Sequence, residues 1–360
     1  MSGAEGGMTS RERILRMLDH READRVPIFD SPWEGTLARW RREGMPADAD
    51  PAAYFGFDRF QLLFADNSPR FERKVLEETE RYRIYTTSWG QTLKSFRDLD
   101  STPEFIRCEI DGPDSWRRAK ARIRPDRDRI DWTWYAAHYK RLRESGAFLA
   151  ADLFFGFDWM HSWVSSTETI LAALIEEPEW CREMFDHFLD THLALFDQVW
   201  DAGYTFDAIR WPEDLGYKGH LFFSPDLYRS LLRPVHEKAV RWAREKGIRA
   251  MIHSCGYVEP LVPDFIDIGI DCLNPVEVKA GMDPVAIKRR YGDRIALHGG
   301  IDASLFDDPE ALMAQIRQVV PILKENGGYL FSSDHSIPPS ISLPDYQAVL
   351  RTTREAGRYD

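Results

Sequence analysis

The sequence predicts an α/β fold, a TIM-type (β/α)8 barrel with an N-terminal helical segment and an inserted β-hairpin region. Three observations predict it. Short apolar runs alternate with long helical patterns over the C-terminal part of the chain, and strands alternating with helices mean a parallel sheet. Six such runs, Ala147–Leu153, Phe206–Trp211, Ile248–His253, Asp271–Asn274, Arg294–His298 and Gly328–Phe331, join an early one at Val26–Phe29 and approach the eight staves of a closed barrel. A length of 360 residues suits one large barrel without demanding a second domain. An open doubly wound sheet is the competitor, but nothing like a Gly-x-Gly-x-x-Gly turn follows the first strand.

In chain order, Met1–Met8 is Gly-rich and polar and reads as a disordered start, with residues 9–360 as a single domain. Thr9-Ser10-Arg11-Glu12 has capping-box form, and Ile14, Leu15 and Leu18 supply one apolar face, so a first helix runs to about Asp19. Val26-Pro27-Ile28-Phe29 reads as a short strand with Asp30 at its end and Trp33 and Trp40 on the helix that follows. Over 71–110 the pattern alternates, as in Arg83–Thr87, and Trp89-Gly90 breaks it. That spacing suggests antiparallel hairpins inserted between barrel units. Helical stretches near Trp116–Ile123 and Tyr135–Ser145 then lead into the regular alternation.

Apolar residues make up 43% and charged residues 29%, enough for a sizeable core and too apolar for wholesale disorder. The net charge of -12 argues against affinity for nucleic acid, which needs phosphates neutralised. The basic run Arg117–Arg129 is broken by Asp126 and Asp128 and reads as a solvated helix face. Four irregularly spaced cysteines do not make a disulfide framework and fit a reducing cytoplasm. The first residues lack an apolar signal core, and no apolar run approaches the roughly 20 residues of a membrane span, so neither export nor membrane insertion is expected.

Catalytic groups of a barrel gather at the C-terminal ends of its strands. The polar residues there are Asp30, Asp152, Arg210, Glu213, Asp214, His253, Cys255, Asn274, Glu277, His298, Asp302, Asp334 and His335. Taken singly, each can be a helix cap or loop residue, and Asp214 and Asp302 suit that role well. His253 and Cys255 lie two apart at a strand end, so imidazole and thiol point the same way. The plain alternative is a core histidine beside a structural cysteine. Glu277 and His335 also follow strand-like runs, and two imidazoles, a thiolate and a carboxylate make a complete zinc site. In Trp211-Pro212-Glu213-Asp214, the proline stiffens the turn, which favours Glu213 or Asp214 as a catalytic carboxylate that protonates a leaving oxygen or positions the substrate. Arg210 and Asp152 complete the catalytic candidates.

With the pieces in this order, the C-terminal two-fifths resembles the uroporphyrinogen decarboxylase superfamily. The matching stretches are Trp211–Lys218, Phe223–Tyr228 with Pro234, His253–Gly256, Gly269–Pro275, Gly281–Pro284, Tyr291–Arg294, Gly299–Asp302 and Gly327–Tyr329. True decarboxylases of that superfamily carry an Arg-Gln-Ala-Gly-Arg-type segment after the first strand, whose arginines meet the substrate's carboxylates. Here that place reads Phe29–Thr36, acidic and aromatic, with few cations for a porphyrinogen's acidic arms. The chain is more similar to the zinc-dependent methyltransferases that act with corrinoid proteins. Their pattern is His-x-Cys, in some a Glu about twenty residues on, and a Cys about eighty residues on. His253, Cys255 and Glu277 match the first three, while Asp334-His335-Ser336 before Pro338-Pro339 stands where those enzymes have Gly-Cys-Gly. The resemblance thus implies zinc on His253, Cys255, Glu277 and His335, and a corrinoid on a partner protein.

A His/Cys/Glu/His site is harder than a thiolate-rich one, which shifts the expected chemistry from thiol activation towards activation of an oxygen-bound methyl group. Phe154, Phe155, Phe157, Trp159, Trp163 and Trp211 follow two strand ends and fit a planar, methoxyaromatic substrate, or else belong to the core. The alternative function is a cofactorless decarboxylase of a porphyrinogen or smaller acid, in which Arg210 stabilises a carboxylate and Asp30 or Asp152 a protonated intermediate. A non-catalytic binding module is the remaining class, and the dense polar mouth argues against it.

Overall fold

The structure, a computed structural model, describes residues 7–97 and 102–359. Residues 1–6 of the N-terminal stretch expected to be disordered lie outside the described residues. Strand and helix alternate as β-α units to give a curled, seven-stranded parallel sheet in the order Phe60–Leu63, Phe148–Asp152, Ala208–Pro212, Arg249–His253, Cys272–Asn274, Ala296–His298 and Tyr329–Leu330. The strand that the sequence reading omits is Phe60–Leu63. Its apolar run is broken by Gln61, and its following helices come only after the antiparallel insertion. It pairs in parallel with Phe148–Ala151. The early Val26–Phe29 segment touches both ends of the sheet: Phe29 N–H donates to the Phe331 carbonyl at 3.0 Å, and Asp58 N–H donates to the Ile28 carbonyl at 2.8 Å.

Where alternation was read over 71–110, the chain forms a four-stranded antiparallel sheet of Val75–Glu78, Tyr82–Thr86, Gln91–Phe96 and Glu104–Cys108. The helix Ser10–Leu18 starts at Thr9, whose side chain caps Glu12 N–H while Glu12 caps back, the reciprocal satisfaction of two free donors. The longest helix, Pro178–Asp201, begins on a proline and buries Trp180, Met184, Phe185, Phe188, His192, Leu195, Phe196 and Val199 at three- and four-residue spacing. Each such large apolar side chain contributes ~1.5–3 kcal/mol. The basic run is not wholly solvated: Arg129 is buried and donates to the carbonyls of Asp66, Ser68 and Arg122.

A second, smaller apolar cluster fills the inside of the curl. Ile14, Met17 and Leu18 of the first helix pack there against Phe148, Ala150, Ala208, Met251, Cys272, Ala296 and Leu330, near the strand starts. The N-terminal end of the sheet is therefore stoppered by apolar side chains. Inside the curl, polar side chains are left to the opposite end. Among the described residues, no helix is long and apolar enough to cross a membrane.

Candidate functional site

Strand periodicity builds the site. Alternate side chains of a strand share a face, so each packed interior residue is followed two places on by a polar one at the C-terminal edge. Ala150 leads to Asp152, Ala208 to Arg210, Met251 to His253, Cys272 to Asn274 and Ala296 to His298. Register then makes neighbours of them. Asp152 faces Arg210 across one strand pair and His253 faces Asn274 across another. Arg210 Nη1 donates to Asp152 Oδ1 at 2.8 Å, and burial pushes the Asp152 carboxyl up despite that cation.

His253 Nδ1 lies 2.6 Å from Asn274 Oδ1. The amide is itself oriented, because Asn274 Nδ2 donates to the His298 carbonyl at 3.0 Å. Oδ1 is thereby left as the acceptor, which assigns the imidazole proton to Nδ1 and leaves the Nε2 lone pair free. Nε2 stands 3.5 Å from Cys255 Sγ and 3.7 Å from Asp214 Oδ1. Ligand atoms of Asp214, His253 and Cys255 all lie within 4.8 Å of one another, an N, S and O set of the kind zinc takes. Burial, with Asp214 and Glu277 adding to it, pushes the Cys255 thiol up, and burial with Arg210 pushes His253 down. A thiolate here needs a cation to hold it.

Glu277 and His335, the other two zinc candidates, stand outside that group. Glu277 Oε2 accepts Gly256 N–H at 2.6 Å, and Oε1 lies 3.5 Å from Lys279 Nζ, so this carboxylate braces the Cys255 loop. His335 is exposed, with its ring 5.9 Å from that of Trp33. Asp214 occupies the carboxylate place of the convergent set, and its Oδ1 also accepts Cys255 N–H at 2.8 Å. The two loops meet at glycines. Gly256 has φ +81°, and a Cβ on it would come 2.1 Å from the Gly216 backbone, so direct packing of backbone on backbone brings Asp214 to Cys255.

Glu213 is placed away from the mouth. It is fully buried, its Oε1 accepts Phe157 N–H at 2.6 Å, and its Oε2 lies unpaired 3.6 Å from His236 Nε2. Burial holds its carboxyl well above the usual range. Gly156 has φ +82°, and a Cβ there would meet Glu213 Oε2 at 1.9 Å. Glu213 thus anchors the start of the 156–164 helical segment. Asp302 accepts Ser304 N–H at 2.9 Å as a helix cap. Asp30 accepts the hydroxyls of Ser333 at 2.6 Å and Tyr346 at 3.1 Å, and burial pushes it up to about 6.

Two clefts open at this edge, and Arg210 lines both. The narrower, about 190 Å³, has Phe29, Phe60, Leu62 and Met251 on its apolar side and Asp30, His253, Asn274, His298 and His335 on its polar side. The wider, about 1110 Å³, lies between Tyr85, Leu93 and Phe105 of the antiparallel sheet and Phe154, Asp158, Trp159, His161, Trp163 and Asp214. Asp158 escaped the sequence reading because its position depends on the left-handed turn at Gly156. Burial, then Asp214 and Glu213, push its carboxyl up to about 8. Of the aromatic residues singled out from sequence, Phe155, Phe157 and Trp211 are wholly buried core, while Phe154, Trp159 and Trp163 line the wider cleft.

The family model described as uroporphyrinogen decarboxylase (URO-D) matches residues 158–356. The uroporphyrinogen decarboxylase of Nitrosospira multiformis is 33% identical over 78 residues, 20% of this chain and 21% of that protein. That of Thioalkalivibrio sulfidiphilus is 35% identical over 71 residues, 19% of this chain and 20% of that protein. The chain thus matches only about a fifth of the length of these curated relatives. A solved methyltransferase from Methanosarcina mazei is similar over 97% of this chain and 99% of its own, at 16% identity and a TM-score of 0.61. That likeness is one of fold.

Proposed function

The chain belongs to the uroporphyrinogen decarboxylase (URO-D) family, and from that premise we propose that it is a zinc-dependent methyltransferase or demethylase acting with a corrinoid-bearing partner protein on a small, methoxyaromatic substrate. One observation carries the reading: Asp214, His253 and Cys255 converge within 4.8 Å, with His253 Nδ1–H donating to Asn274 and Nε2 left free. In this reading zinc is held by Asp214, His253 and Cys255, with a fourth position open to His335, Glu277 or substrate. Bound there, zinc supplies Lewis acidity towards a thiol or an ether oxygen. Asn274 keeps the imidazole oriented, Glu277 holds the Cys255 loop, and the Arg210–Asp152 pair sets the charge at the junction of the two clefts. The site sits at the mouth of a (β/α)8 barrel whose eighth stave is Val26–Phe29, a reading supported by the hydrogen bonds of that segment to both sheet ends.

The decarboxylase alternative draws on the names of the curated relatives and on Arg210 with Asp152 or Asp30. Among the described residues lining the two clefts, Arg210 is the lone arginine or lysine, which suits a polyacid poorly. The test is metal analysis of the purified protein and of Cys255→Ala, followed by methyl transfer from a methoxyarene to reduced cobalamin. About one zinc per chain, lost in Cys255→Ala, and cobalamin methylation that needs the metal are expected. Equal zinc in both proteins removes Cys255 from the site. Metal-independent release of carbon dioxide from an acid selects the alternative.

A further inference from the structure

The wider cleft holds an unfinished pile of rings. Phe154 and Trp159 lie face to face with centroids 3.9 Å apart and planes at 14°, and Trp163 continues on Trp159 at 5.4 Å and 25°. Trp163 ends the pile 44% exposed and lines the cleft. Aromatic rings favour offset stacking, and a concave, largely apolar wall is where small ligands are held. The antiparallel sheet supplies Tyr85 and Phe105 to the same cleft.

Charge narrows the class of ligand. Asp152, Asp158, Glu168 and Asp214 line the cleft against Arg210, whose Nη1 is already engaged by Asp152. An incoming carboxylate meets the like-charged Glu168 and Asp214 and an arginine that is already paired. A neutral hydroxyl or ether oxygen meets a free hydrogen-bonding position instead: Asp158 Oδ1 takes the Ser162 hydroxyl at 2.9 Å, while its Oδ2 has no hydrogen-bond partner among the described residues.

We propose that this cleft is the subsite for a single neutral aromatic ring bearing hydroxyl and ether oxygens, stacked on Trp163 and hydrogen-bonded to Asp158, and that it discriminates against the corresponding aromatic acids. The fate of the ring's methoxy group rests on the methyl-transfer reading, whereas binding of the ring does not. The experiment is therefore calorimetric titration of chelator-treated protein with 2-methoxyphenol and with 4-hydroxy-3-methoxybenzoate. The phenol is expected to bind at least about tenfold more tightly than the acid. Trp163→Ala weakens phenol binding about tenfold, and Trp163→Phe restores most of it. Trp33→Ala, at an indole that is 41% exposed but lies outside this cleft, leaves it unchanged. Acid binding as tight as the phenol's, full binding in Trp163→Ala, or no phenol binding overturns the proposal, and the first and last of these are read on the wild type, free of any folding defect. Phenol binding without methyl transfer sinks the enzymatic reading alone, and methyl transfer without phenol binding sinks this one alone.

Discussion

His192 is wholly buried with both ring nitrogens engaged: Nδ1 accepts Phe154 N–H at 2.9 Å, and Nε2 lies 3.1 Å from the Ala65 carbonyl. The neutral tautomer with its proton on Nε2 satisfies both, and a second proton has nowhere to go. Burial accordingly pushes it down to about 3. The folded value lies below the unfolded one, so this stabilisation is fully present above about pH 6.5 and is lost as pH falls towards 3, where the unfolded chain binds the extra proton. One such group gives a slope of about 1.4 kcal/mol per pH unit across that window. Denaturant titrations of His192→Gln, whose amide can serve both partners, are expected to show an acid slope shallower by that amount. Superimposable curves for variant and wild type would trace the acid lability elsewhere. At this scale the sequence was readable where chemistry is local. His253 and Cys255 share a strand end, so their convergence follows from backbone period alone. That Asp214 and not Glu277 joins them depends on Gly256 meeting Gly216, a contact between loops that no spacing announces.

The 156–164 segment shows the same limit for whole elements. It carries Asp158, Trp159, His161 and Trp163 to the wider cleft, yet its start is fixed from another strand end by the Glu213 carboxyl. Gly156→Ala adds a Cβ at φ +82° directly against that carboxyl, so a loss of roughly 2 kcal/mol or more is expected, with turnover falling as the segment shifts. Asp214→Asn should instead lose metal and turnover with little change in melting temperature, because its side chain is only half-buried. Thermal melts and metal content of the two variants separate the roles, and a stable, fully active Gly156→Ala would contradict the anchoring. The six later parallel strands were legible from apolar runs bounded by helical patterns. Phe60–Leu63 was not, since the antiparallel insertion and not a helix follows it.

For the whole molecule, the first helix is a plug. Met17 has no exposed surface, and with Ile14 and Leu18 it closes the end of the curled sheet opposite the polar edge. Met17→Ala is expected to cost about 2–5 kcal/mol in denaturant unfolding while zinc content and turnover per folded molecule stay unchanged. A selective loss of activity without lost stability would show that the two ends communicate. The plug also governs traffic. A chamber shut at one end is a cul-de-sac, so whatever reaches the His253 side of Arg210 must leave by the same open edge of the sheet. If the proposed methyl transfer takes place here, a small methyl donor and a bulky carrier domain would have to share this one open edge, and the departure of one would set the moment at which the other can enter. Turn-taking of that kind would be imposed by nine residues of helix, far from any group that touches the substrate.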